Sequence, residues 1–102
     1  MVSRRKEVVR GKILYYLALV YPEPVTLPLL QGELDLFGYP VPMDALNFHL
    51  AYLAEKGLVT VEDASAAQPR RKVTTVRITA RGIDYHDGRL PADEGIYVEP
   101  TR

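Results

Sequence analysis

The 102-residue chain has no cysteine and no tryptophan, and only two histidines, two methionines and two phenylalanines. Without cysteine, disulfides and thiolate metal sites are excluded, and a cytoplasmic setting is the expectation. Two histidines do not furnish a metal centre, and neither a metal nor a cofactor is expected. No apolar run approaches the ~20 residues that a membrane-spanning helix requires. The opening MVSRRKEVVRG has charge but no apolar core after it, so no signal peptide is expected. The sequence also lacks a Ser–His–Asp set, a P-loop and a dinucleotide glycine motif, which argues against an enzyme.

What is present is the composition of an ordinary folded domain, 47% hydrophobic and 25% charged. A chain of this length forms one domain with a modest core. Its 13 basic and 13 acidic residues cancel, but they are segregated. Arg4, Arg5, Lys6, Arg10 and Lys12 crowd the start. Glu23, Glu33, Asp35, Asp44, Glu55, Glu62 and Asp63 fill the middle, where Lys56 is the lone base. Arg70, Arg71, Lys72, Arg77 and Arg81 follow, and the last stretch is acidic again. Two basic zones flank an acidic middle, a pattern that bears on partners more than the net charge does.

Periodicity predicts a first helix from a Ser3 cap to about Tyr21, where Pro22 and Pro24 stop it. Val9, Ile13, Tyr16, Leu17 and Val20 share its core face. A second apolar line, Val8, Tyr15 and Leu19, lies nearly opposite. It is covered by a C-terminal helix of the same chain, by a second subunit, or by both. Val25-Thr26 reads as a short extended piece. Thr26 caps a second helix, Leu27 to Leu36, with Pro28 in its first turn and Leu27, Leu30 and Leu34 as its core stripe. Phe37-Gly38-Tyr39-Pro40 forms a turn.

The third helix starts at Pro42 and buries Leu46, Leu50 and Leu53 with His49, and Gly57 ends it. Leu58 to Glu62 reads as a strand, Asp63 to Pro69 as a turn-forming tip, and Arg70 to Ile78 as the returning strand. Thr79 caps a fourth helix, Ala80 to about Asp87. The prediction is one domain over residues 1–88 and an extended tail over residues 89–102.

The run His49-Leu50-Ala51-Tyr52-Leu53-Ala54-Glu55-Lys56-Gly57-Leu58-Val59 fits H-L-x-x-L-x-x-x-G-L-V. It resembles the end of the third helix in winged helix-turn-helix regulators of the ArsR, MarR and PadR kind. Ile78-Thr79-Ala80-Arg81-Gly82 is similar to the L-T-x-x-G that leads out of their wing. Gly38 to Val41, Leu53 to Glu62 and Thr79 to Arg89 resemble stretches of small winged-helix proteins of Mu-like phages. The resemblance covers about residues 8 to 95. It implies an α+β winged helix-turn-helix: a three-helix core, a two- or three-stranded β wing and a short C-terminal helix. The implied function is double-stranded DNA binding in transcriptional regulation, as a homodimer.

In that geometry the third helix turns Met43, Asp44, Asn47, Phe48 and Ala51 toward a major groove. Asn47 suits adenine and Phe48 suits a thymine methyl. Many relatives have Ser-Arg where this chain has Asn47-Phe48, and no Lys or Arg stands between Val41 and Glu55. Phosphate neutralisation must therefore come from elsewhere. Arg70, Arg71 and Lys72 on the wing and Arg4, Arg5 and Lys6 at the start of the first helix are the candidates, with Arg77 and Arg81 in support. Val8, Tyr15, Leu19 and the Ile96-Tyr97-Val98 arm are the candidate dimer interface. The alternative function is a winged-helix protein-interaction module that does not touch DNA, favoured by Met43, Phe48 and the acidic middle. His49 reads as a core histidine, and Asp84, His86 and Asp87 as solvated surface.

Overall fold

A computed structural model of the chain describes residues 4–64 and 73–99. The fold is α+β. In chain order its elements are α1 (Arg5–Val20), β1 (Val25–Thr26), α2 (Leu27–Leu36), α3 (Met43–Glu55), β2 (Val59–Asp63), β3 (Thr74–Ile78) and α4 (Ala80–His86). The three strands form an antiparallel sheet in the order β1-β3-β2. Ser3 and the basic run Arg70-Arg71-Lys72 lie outside the described residues.

The helices form where the apolar period is near 3.6. Leu27, Leu30 and Leu34 on α2, and Leu46, Leu50 and Leu53 on α3, are all buried. They meet Val9, Ile13, Leu14 and Leu17 of α1 in one continuous core. Burying each such leucine contributes roughly 1.5–3 kcal/mol relative to leaving it exposed. On α1 the buried side is wider than the expected stripe. Leu14, Arg10 and Gly11 are buried, while Tyr16 and Val20 are only half-buried. The helix begins at Arg5 with no side-chain cap.

Local signals fix the remaining boundaries. The Thr26 hydroxyl accepts from Leu29 N at 3.4 Å at the start of α2. The Thr79 hydroxyl accepts from Gly82 N at 3.0 Å at the start of α4. Pro42 stands before α3 as its extended N-cap, so the helix begins at Met43, one residue after the expected start. At the other end Gly57 N donates to Ala54 O and Leu58 N to Leu53 O. This double closure needs a left-handed residue, and Gly57 supplies it with φ +76°. Because Leu58 N is used there, β2 begins at Val59 rather than at Leu58. Val59 pairs with Ile78 and Val61 with Val76. Val25 pairs with Val76 on the other side of β3, so the short extended piece is a true sheet strand.

The residues after α4 are not a loose tail as far as Glu99. Ile96 is 5% exposed and belongs to the core. Tyr97 N donates to Glu7 O at 3.0 Å, which lays this segment along α1.

Candidate functional site

Burial of the leucine stripe turns the other side of α3 outward. Asp44, Asn47, Phe48, Ala51 and Glu55 are exposed and Met43 is half-buried. Phe48 is 61% exposed, unusual for so large an apolar side chain. Asn47 Nδ2 donates to Met43 O at 3.1 Å within the helix, which engages one of its two amide hydrogens. Asp44 Oδ1 accepts from Ala45 N at 2.8 Å in the first turn.

Next to this face is a cleft of about 460 Å³. Thr26, Leu27 and Pro28 line one wall, Met43 and Asn47 another, and Val73 and Thr74 the third. The structure thus brings the start of α3, the start of α2 and the root of β3 together. Arg70, Arg71 and Lys72 directly precede Val73 in the sequence.

The candidate bases described by the structure do not form one patch. Arg5 Nη2 donates to Pro40 O at 2.7 Å, and its guanidinium stands 5.5 Å from the Tyr39 ring centroid. It is therefore anchored at the turn leading into α3. Arg4 lies over Tyr97, 5.8 Å from the ring centroid, on the C-terminal segment. Arg77 is 3.9 Å from Glu62 across the β2–β3 pair. Arg81 Nε donates to Lys56 O at 3.2 Å, at the end of α3 away from Met43.

The proposed interface residues separate in the same way. Leu19 is 64% and Tyr15 42% exposed, Val8 is half-buried, and Ile96 is buried within its own chain. Tyr15 packs on two rings of its own chain, Phe37 at 6.0 Å and His86 at 5.9 Å.

Behind α3 lies a polar cluster absent from the expectations drawn from sequence. Arg10 is 7% exposed. Its Nε donates to His49 Nδ1 at 3.1 Å and its Nη1 to Gly95 O at 3.1 Å. The guanidinium stacks on Tyr52, 3.9 Å from the ring centroid. Tyr52 Oη donates to Asp93 Oδ1 at 2.7 Å, and Lys56 Nζ sits 3.0 Å from Asp93 Oδ2. Gly95 N also donates to Asp93 Oδ1, at 2.7 Å. One arginine and one aspartate thus bind the C-terminal segment to α1 and α3 together.

The ionisation of the cluster follows from this geometry. An arginine nitrogen only donates, so His49 Nδ1 must carry a lone pair and the ring is neutral. Burial, then the charges of Arg10 and Lys6, lower the pKa of His49. The Tyr52 hydroxyl, then Gly95 N, hold the Asp93 carboxyl below its usual value. The Asp93 carboxylate in turn raises Tyr52 and Lys56, through a hydrogen bond to each. A signal for the cluster exists in the sequence. Arg10 falls four and seven residues before Leu14 and Leu17, which places a charge on a core face where only a paired one is tolerated.

The chain matches no protein-family model, no curated protein and no solved structure. Among the described residues no helix is long and apolar enough to cross a membrane. Among the same residues, no group of three or more His, Asp or Glu side chains is placed to hold a metal ion.

Proposed function

We propose that the chain is a winged helix-turn-helix protein that binds double-stranded DNA, and that it regulates transcription as a homodimer. In this reading α2 and α3 are the helix-turn-helix, and β2 and β3 the stem of the wing. The outer face of α3 enters the major groove, which is wide enough for one helix. The observation that carries the reading is the shared cleft. Asn47 and Met43 line it together with Val73 and Thr74, so the base-reading face adjoins Val73, the residue that follows Arg70-Arg71-Lys72 in the sequence. Arg5, held at Pro40 O, adds one cation at the turn before α3. The α3 face itself carries Asp44 and Glu55 and no base. The wing therefore supplies phosphate contacts and α3 supplies discrimination.

Titrating a labelled duplex pool across salt concentrations tests this. Affinity is expected to fall steeply with salt, and R70A/R71A to reduce the slope by about 2, one for each phosphate no longer neutralised. Asn47→Ala is expected to cost about 1–3 kcal/mol on a selected site and little on random DNA. Absence of binding at low salt defeats the reading.

A second reading, a winged-helix module that binds protein and not DNA, is favoured by one observation. Phe48 presents 61% of its surface on a face rimmed by acids, as an interface anchor would. Phe48→Ala separates the two readings. It should weaken DNA binding only modestly if DNA is the ligand, and should abolish association if a protein is.

A further inference from the structure

Residues 95–99 lie along α1 on a small set of contacts. Tyr97 N donates to Glu7 O at 3.0 Å. Arg10 Nη1 donates to Gly95 O at 3.1 Å, and the Tyr85 hydroxyl to Ile96 O at 3.3 Å. The Lys12–Glu99 pair stands partly in water, with the Glu99 side chain 65% exposed, and a pair of that kind contributes little. The root of the segment is held harder. Asp93 accepts from Tyr52 Oη and Gly95 N and pairs with Lys56, and its own N donates to the Tyr85 hydroxyl at 2.9 Å. Two features work against closure of the lighter end. Arg10, which holds Gly95, is itself positioned by His49 Nδ1, and that bond lasts only while the imidazole keeps its lone pair. Glu7, which receives Tyr97 N, has its Oε2 buried with no hydrogen-bond partner among the described residues, a cost that ends once water reaches it.

We propose that residues 95–99 form a proton-operated clasp: uptake of a proton at His49 Nδ1 displaces Arg10, and the segment lifts from α1 while the three-helix core stays folded and Asp93 keeps its hold. An imidazolium offers Arg10 Nε no acceptor and sets a second positive charge 3.1 Å from it. The charges around the ring do not relieve it. Arg10 and Lys6 of α1 both oppose the proton. Glu7, the one acid of α1, makes no hydrogen bond to the ring. Asp93 of the C-terminal segment is engaged by Tyr52, Lys56 and Gly95 N, and the neighbour on α3 is the uncharged Phe48 ring. Opening turns Arg10 to water, relieves the ring, hydrates Glu7 and uncovers the seat of Ile96, which is 5% exposed in the closed form. The sign follows from burial and the two cations, which make His49 a poorer base when the clasp is closed. The open population therefore rises as pH falls below 6.5, by at most about tenfold per pH unit, and levels off beneath the closed-state value. The clasp lies behind α3, so it does not rest on what the outer face of that helix binds.

Amide hydrogen exchange of the isotope-labelled full chain, followed by NMR from about pH 7.5 down to about pH 5.5, reads local opening apart from global unfolding. The Tyr97 amide reports the clasp and the Leu53 amide the core. After correction for the intrinsic chemistry of exchange, opening at Tyr97 is expected to increase as pH falls, by up to about tenfold per unit. It should respond little to low urea, because a short segment exposes little surface. Leu53 should exchange with the large urea dependence of global unfolding. The His49 ring should show the Nε2–H tautomer at neutral pH. His49→Gln, which keeps an acceptor for Arg10 but takes up no proton, should make opening at Tyr97 independent of pH, and its melting curve verifies that it is folded. Three results overturn the proposal: a Tyr97 amide that opens only together with Leu53, opening that does not change with pH, or a pH response that survives in His49→Gln.

Discussion

The residue that departs furthest from its type is Arg10. A guanidinium in a core is expensive unless every face of it is engaged. Here His49 Nδ1, Gly95 O and the Tyr52 ring engage it. Arg10→Met would keep the volume but leave the His49 and Gly95 acceptors without a donor, so a loss of about 1–3 kcal/mol is expected in urea unfolding. The same contact sets a pH dependence. His49 has its folded pKa lowered from 6.5, so between the folded and unfolded values the unfolded chain binds the extra proton. Stability from this group is fully present above 6.5 and is lost as pH falls below it, levelling off beneath the folded value. Asp93 is likewise lowered, from 3.8, and its contribution is lost only in stronger acid. The urea midpoint should therefore decline between pH 7 and pH 5. His49→Gln, which keeps an acceptor for Arg10, should flatten that decline, and an unchanged slope would remove His49 as its source.

At the scale of elements, α2, α3 and α4 are legible in the sequence because their information is local. The leucine spacing, the Thr26 and Thr79 caps and the closure at Gly57 each act within a few residues. The candidate face on α3 is legible for the same reason, as the complement of the Leu46, Leu50 and Leu53 stripe. The C-terminal segment is not. It has prolines, a glycine and no period, and the contacts that order it include Arg10 and Tyr52, residues 85 and 41 positions from their partners, and the Tyr85 hydroxyl, which bonds Asp93 and Ile96. Ile96 therefore reads in sequence as part of an arm that docks on its own or on another subunit, and the structure places it in the core of its own chain. Gly11 sets how closely this segment approaches α1, since a Cβ there would collide with the Tyr97 carbonyl. Gly11→Ala is favourable to the isolated helix by roughly 1 kcal/mol. It should nonetheless destabilise the protein and speed amide exchange at residues 95–98, and protection equal to the parent's would contradict that packing.

For the molecule as a whole, one line of apolar exposure among the described residues lies along α1 and the end of α2. Leu19 is 64% exposed, Tyr15 42% and Leu36 80%, and the neighbour of Leu36, Phe37, meets the Tyr15 ring. The proposed homodimer buries this line, and Ile96 contributes only to the fold of each subunit. Light scattering is expected to give a dimer mass that Leu19→Glu shifts to monomer with little change in melting temperature. A parent that stays monomeric at high concentration leaves the line as ordinary surface. The Arg10–Gly95 and Lys12–Glu99 contacts bear on a different matter, biosynthesis. They join positions 85 and 87 residues apart, so the nascent chain cannot complete its core when α4 leaves the ribosome. Until Asp93 to Glu99 emerge, Arg10 and His49 stand without the backbone that covers them, and a nascent chain that stalls there is a substrate for chaperones or proteases.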